Sequence, residues 1–210
     1  MTKLDMDNWE RKEIYEYMST IPDPFYTVSF NVDVTNVYSF AHKNGISFYY
    51  SLIFFATQAF NEVPAFLNDI VDGEVVVLER RSPSFCDIHK ESEAFFIVNL
   101  LLGNDVFDFC QRARRESLAS TSFYPKNVSD SEAWIYFSCI PWIDMTCITN
   151  EKAFHTDDTV PRISWGRYFE QEGRKKLNIS LELNHRLIDG FHVGQFEKRL
   201  TEIIDSIDVN

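Results

Sequence analysis

Near the C-terminus an alternating apolar run, Leu177-Asn178-Ile179-Ser180-Leu181-Glu182-Leu183, passes straight into Asn184-His185-Arg186-Leu187-Ile188-Asp189-Gly190, and then into Phe191-His192-Val193-Gly194-Gln195-Phe196-Glu197-Lys198-Arg199-Leu200. The period of two predicts a half-buried strand, and the spacing that follows predicts an amphipathic helix. Asp189-Gly190 predicts a turn between them. This order of strand, turn and helix puts a histidine where a scaffold, not a mobile loop, holds it. An imidazole titrates near neutrality and so accepts and returns protons at physiological pH, as a general base must.

The remaining chain reads as further elements of both kinds. Asp7 or Asn8 is placed to cap a helix reaching Met18, which Pro22-Asp23-Pro24 ends. Phe25 to Val34 predicts a strand. Thr35 caps a helix closed by Gly45, and Ser47 begins a strongly apolar helix through Asn61. Asp72-Gly73 predicts a tight turn into Glu74 to Leu78, with strands at Ser84 to Ile88 and Ala94 to Leu101. Asn104 to Ala119 predicts a helix with a basic face at Arg112, Arg114 and Arg115. Trp134 to Ile140 and Arg162 to Tyr168 are the next strands. The irregular interleaving predicts an α/β chain of the α+β two-layer kind: a large mixed β-sheet with helices packed on it, not a doubly wound parallel sheet. No repeat or linker divides it, so residues 1–210 are expected to form a single domain. The polar stretch Thr146 to Val160 is expected to be the longest loop and a place of contact with a neighbouring subunit.

Nineteen Phe and nine Tyr predict an aromatic core. A net charge of −12 opposes binding to nucleic acid or to an anionic membrane. No charged-then-apolar leader opens the chain, and the longest apolar stretch, Phe48 to Phe60, is too short to span a bilayer. Cys86, Cys110, Cys139 and Cys147 show no C-x-x-C spacing and sit among apolar neighbours, which predicts buried free thiols in a reducing, cytoplasmic setting.

His185-x-x-x-Asp189-Gly190 at a strand end resembles the signature of coenzyme-A-dependent acyltransferases of the chloramphenicol acetyltransferase type. Dihydrolipoyl acyltransferase cores and peptide-synthetase condensation domains share it. Gly190-Phe191-His192-Val193, Asn8-Trp9-Glu10-Arg11-Lys12-Glu13 and Phe137-Ser138-Cys139-Ile140-Pro141-Trp142 are similar to further segments of the chloramphenicol acetyltransferase branch, in the same order. The resemblance implies that fold and acetyl-CoA as co-substrate. His185 is then the general base, its ring oriented partly by a hydrogen bond to its own carbonyl. Asp189 pairs with Arg11, Ser138 donates to the oxyanion, and Ser164 stands where the family holds a water by a threonine. It further implies direct transfer without an acyl-enzyme to a small hydroxyl acceptor such as chloramphenicol, a role in antibiotic resistance, and a homotrimer with active sites between subunits.

No glycine-rich phosphate loop exists, so coenzyme A phosphates are expected near isolated cations, Arg167 or the Gly173-Arg174-Lys175-Lys176 turn. A metal site from His185, Asp189 and His192 needs one helical face, which the Asp189-Gly190 turn interrupts, so no metal is expected. Ser138 lacks the Gly-x-Ser-x-Gly elbow of a nucleophile. Three positions depart from the pattern: Asn184 replaces a second histidine, and Asn150 and Arg162 fall where apolar residues are expected near the acceptor. A dihydrolipoyl-type enzyme acting on a thiol, or a non-catalytic trimeric binding protein, are the alternatives.

Overall fold

The computed structural model describes residues 1–125, 133–152 and 158–209. The elements that place the site are strands β1 (Thr2–Lys3), β2 (Phe25–Asp33), β3 (Asn68–Val71), β4 (Glu74–Val77), β5 (Ser82–Ile88), β6 (Phe95–Asn99), β7 (Trp134–Cys139), β8 (Arg162–Trp165), β9 (Phe169–Gln171) and β10 (Arg174–Asn184). The helices are α1 (Lys12–Met18), α2 (Thr35–Asn44), α3 (Phe48–Asn61), α4 (Val106–Ala119) and α5 (Gly190–Asp205). One large sheet runs β2-β10-β8-β7-β5-β6, with β9 also paired to β10, and β1-β4-β3 form a small second sheet. Pairing is antiparallel at β2-β10, β10-β8 and β5-β6, and parallel at β8-β7 and β7-β5, which makes the large sheet mixed as expected.

Alternation decides which side of that sheet meets the helices. Leu177, Ile179, Leu181 and Leu183 of β10 are fully buried, as are Ile163 and Phe137 beside Leu181 in the neighbouring strands. Against them pack α3, capped by Ser47, and α5, which buries Val193, Phe196, Leu200, Ile203 and Ile204 at helical spacing. Aromatic rings fill the layer between: Phe60 and Phe66 both contact Phe196, and Tyr49 meets Phe85 and Trp165.

β10 is not half-buried, as its alternation suggests. Ser180, Glu182 and Asn184, on the face away from the helices, are buried as well. The segment from Ile143 to Lys152 covers that face, with Ile148 N–H donating to Ser180 Oγ at 3.2 Å and Asn150 N–H to Glu182 at 2.8 Å. This is the first half of the loop expected at Thr146 to Val160; residues 153–157 of it lie outside the described residues.

Other boundaries also differ. Helix α1 begins only at Lys12, because the Asp5 carboxylate draws Asp7 N–H and Asn8 into a separate turn. Thr35 is the first helical residue of α2 rather than its cap, and Asp33 takes up both its N–H and its hydroxyl. The strand expected over Arg162 to Tyr168 stops at Trp165. A Cβ on Gly166 would stand 2.7 Å from the Ile143 carbonyl oxygen, so only glycine lets that loop pass so close.

Candidate active site

His185 follows the last residue of β10. Its N–H donates to the Pro24 carbonyl at 2.8 Å, extending the β2-β10 ladder by one step and fixing the backbone under the imidazole. The ring packs on Tyr26 of β2, with centroids 4.5 Å apart. Nδ1 is buried without a hydrogen-bond partner among the described residues, and the His185 carbonyl accepts from Arg11 at 3.4 Å. In place of the bond from the ring to its own carbonyl that the resemblance implies, the ring here rests tilted at 33° on Tyr26, above a backbone that Pro24 anchors. Tyr26 is a site residue that the sequence pattern did not single out. Burial and the nearby Asp189 charge push its hydroxyl pKa up, so it stays protonated.

Arg11 and Asp189 form an ion pair that is largely shielded from solvent. Since Arg11 also reaches the His185 carbonyl, it binds both ends of the turn. Asp189 is in addition the N-cap of α5, accepting from Phe191 N–H at 3.0 Å. His192 completes a reciprocal cap, its Nδ1 accepting the Asp189 N–H at 3.1 Å. Partial burial alone would raise the Asp189 carboxyl, but the charge of Arg11 and the hydrogen bonds from Arg11 and the Phe191 N–H outweigh it and hold the pKa below the usual range. Burial pulls His192 below its ordinary value, in keeping with a neutral ring that accepts at Nδ1.

Asn184 organises the turn from within. Its Oδ1 accepts from Arg186 N–H at 3.0 Å and from Arg186 Nε at 3.1 Å, while Nδ2 donates to the Asp158 carbonyl at 2.8 Å. Arg162 is buried, pairs with Asp158 at 2.8 Å, and lies over the rings of Phe25 and Tyr136. Asn150 touches Ser164 and Glu182.

Ser138 and Ser164 stand directly opposite each other on β7 and β8, and Ser164 stands opposite Ser180 on β10, which shares a 2.8 Å contact with Ser29 of β2. Four serines thus cross the sheet in one row on the face away from the helices. His185 is not part of this row. It lies five residues past Ser180, roughly 17 Å along the strand, and Ser138 is two strands, or about 10 Å, to the side. The chain therefore brings Ser138 to Ser164, and His185 to Asp189 and Arg11, but holds the two groups apart.

Arg167 is exposed, and its backbone N–H donates to the Ile143 carbonyl at 2.7 Å. The basic turn is less available than expected. Arg174 and Lys176 both pair with Asp33, and Lys175 pairs with Glu170 while lying over the rings of Tyr38 and Tyr168. The four cysteines are all free, but only Cys110 is buried as expected: Cys86 and Cys139 are partly exposed and Cys147 is exposed. Burial pushes the Cys139 thiol, next to Ser138, up to about 12, so it carries no thiolate at neutral pH.

Comparison with known proteins decides the family. The family described as chloramphenicol acetyltransferase matches residues 1–201. The chain belongs to the chloramphenicol acetyltransferase family. Chloramphenicol acetyltransferase 3 of Escherichia coli is 28% identical over 209 residues, covering 98% of this chain and 97% of that protein. A chloramphenicol acetyltransferase of Klebsiella sp is 23% identical, covering 97% and 94%. Among solved structures, a chloramphenicol acetyltransferase superposes with a TM-score of 0.85 at 25% identity, over 97% of this chain and 100% of that one. The dihydrolipoamide acetyltransferase of Azotobacter vinelandii shares the fold at a TM-score of 0.68 and 17% identity, over 91% and 85%. Membership makes this chain an acyltransferase of the chloramphenicol acetyltransferase type.

Proposed function

We propose that the protein is an acetyl-CoA-dependent O-acetyltransferase acting on chloramphenicol or a similar small hydroxyl compound. The observation that carries this is the turn after β10, where Pro24, Tyr26 and Arg11 hold an imidazole whose Nδ1 is buried. Nε2 is then the nitrogen that meets the acceptor hydroxyl. It takes the hydroxyl proton as the oxygen attacks the thioester carbonyl. The Ser138 hydroxyl donates to the tetrahedral oxyanion, and Ser164 supports that site. Collapse breaks the C–S bond, and the coenzyme A thiolate recovers its proton from His185. No acyl-enzyme is formed: the two cysteines bordering Ser138 in chain and sheet, Cys139 and Cys86, are raised to about 12 and about 11 and are poor nucleophiles.

The working form in this reading is a homotrimer of single-domain chains in the cytoplasm. The separation of His185 from Ser138 within one chain supports it, since a complete site then takes His185 from one subunit and Ser138 from the next. Arg167, exposed beyond β8, is our candidate for a coenzyme A phosphate contact. Release of free coenzyme A thiol, followed with chloramphenicol, other small alcohols and dihydrolipoamide, tests the reading. Transfer to a hydroxyl acceptor that disappears in a folded His185→Ala variant is expected. Activity with dihydrolipoamide alone, or undiminished activity in the variant, would overturn it.

A further inference from the structure

Ser164 is only 2% exposed, and its Oγ donates to Asn150 Oδ1 at 3.3 Å. Asn150 sends its backbone N–H at 2.8 Å and its Nδ2 at 3.4 Å to the same oxygen of Glu182. A carboxylate only accepts, so the amide nitrogen has to face Glu182 and the amide oxygen has to face Ser164. Turning the amide over would set oxygen against oxygen. Glu182 is itself 2% exposed and is held from its other oxygen by Lys152 at 3.4 Å, whose ammonium also reaches Asp23 at 2.8 Å. Burial disfavours the charge on Lys152, yet its two acid partners hold its pKa above the ordinary value. Donor and acceptor are thus fixed at every link: Lys152 donates to Asp23 and to Glu182, Asn150 donates to Glu182, and Ser164 donates to Asn150.

A hydroxyl has one proton. With that proton given to Asn150, Ser164 has only lone pairs left for the row it shares with Ser138. It can hold a donor there, such as a water whose other O–H points at the developing oxyanion, but cannot itself donate to the oxyanion. We infer that Asn150 is a positioning residue, which turns the Ser164 hydroxyl into an acceptor toward the transfer site. The inference rests on the proposed acetyl transfer, and it assigns a task to a residue that stands where the family pattern leads one to expect an apolar side chain.

Steady-state kinetics with acetyl-CoA and the best acceptor of the panel test it, using Asn150→Leu, Ser164→Ala and the double variant, with melting curves for each. Losing one neutral hydrogen bond is expected to lower kcat about five- to tenfold in Asn150→Leu, with the acceptor KM altered by less than about twofold. In the Ser164→Ala background the same substitution is expected to cost nothing further, because the two residues act as one unit. Asn150→Ala repeats the test without added bulk if the leucine variant melts early. Equal losses in both backgrounds, or an effect on KM alone, would overturn the inference while leaving acetyl transfer standing. A wild-type protein that transfers acetyl to nothing in the panel overturns both.

Discussion

At the scale of single residues, the site separates groups that touch the reaction from groups that hold them. Ser138→Ala removes the proposed oxyanion donor and is expected to lower kcat by about 10²–10³ with little change in melting temperature; a loss under threefold would remove Ser138 from that role. Asp189→Ala is expected to cost activity and about 3 kcal/mol of stability together, because it strands Arg11 and uncaps α5. An unchanged denaturation midpoint would refute this. His192 gives a pH prediction. Its folded pKa lies below the unfolded value near 6.5, so its contribution to stability is complete above that value and drains away as pH falls through the folded one. The melting temperature should fall as pH drops below about 6.5, and His192→Gln, which keeps an acceptor at that helix position, should flatten this part of the curve. His185, Asp189, Arg11 and Ser138 could be proposed from the sequence because each stands in a motif segment, and Ser164 by its distance in sequence from His185. Tyr26 and the Asn150–Ser164–Glu182 link could not, since they depend on which strand lies beside which, across as many as 159 positions of sequence in the contact of Tyr26 with His185.

At the scale of elements, periodicity and caps place most helices and strands within a few residues, and the exceptions have local causes. Gly45 ends α2 at φ +64° with open space around it, so Gly45→Ala is strained by backbone alone and should lower stability by roughly 1 kcal/mol. Gly166 is the opposite case. A methyl there meets the Met145 side chain at 2.6 Å and the Ile143 carbonyl at 2.7 Å, so Gly166→Ala has to displace the segment that covers the serine row. It should cost about 1–3 kcal/mol and reduce transfer as well, whereas Gly45→Ala should leave kcat untouched. Kinetics of the two purified variants side by side would show whether that segment matters to the reaction. The end of β8 at Trp165 was hidden for the same reason: the approach of a distant loop does not appear in any local pattern.

At the scale of the whole molecule, the mixed sheet with helices on one face follows from the order of elements in the sequence. The burial of the other face does not, because Ser180, Glu182 and Asn184 look like solvent-facing residues until a covering segment is in place. The most consequential feature here is the distance between the serine row and the turn that carries His185. Mixing two inactive preparations, His185→Ala and Ser138→Ala, under conditions that allow subunit exchange should restore part of the activity, since some contacts then join an intact imidazole to an intact hydroxyl. No recovery, with exchange verified, would place both groups in one chain's own site. The same division of parts has an outcome for inheritance. In the homotrimer proposed above, a cell that makes sound and His185-deficient copies together would produce mixed assemblies in which each faulty copy silences a neighbour's pocket while its own pocket is served by a sound one, so that the defect is felt next door to where it arose.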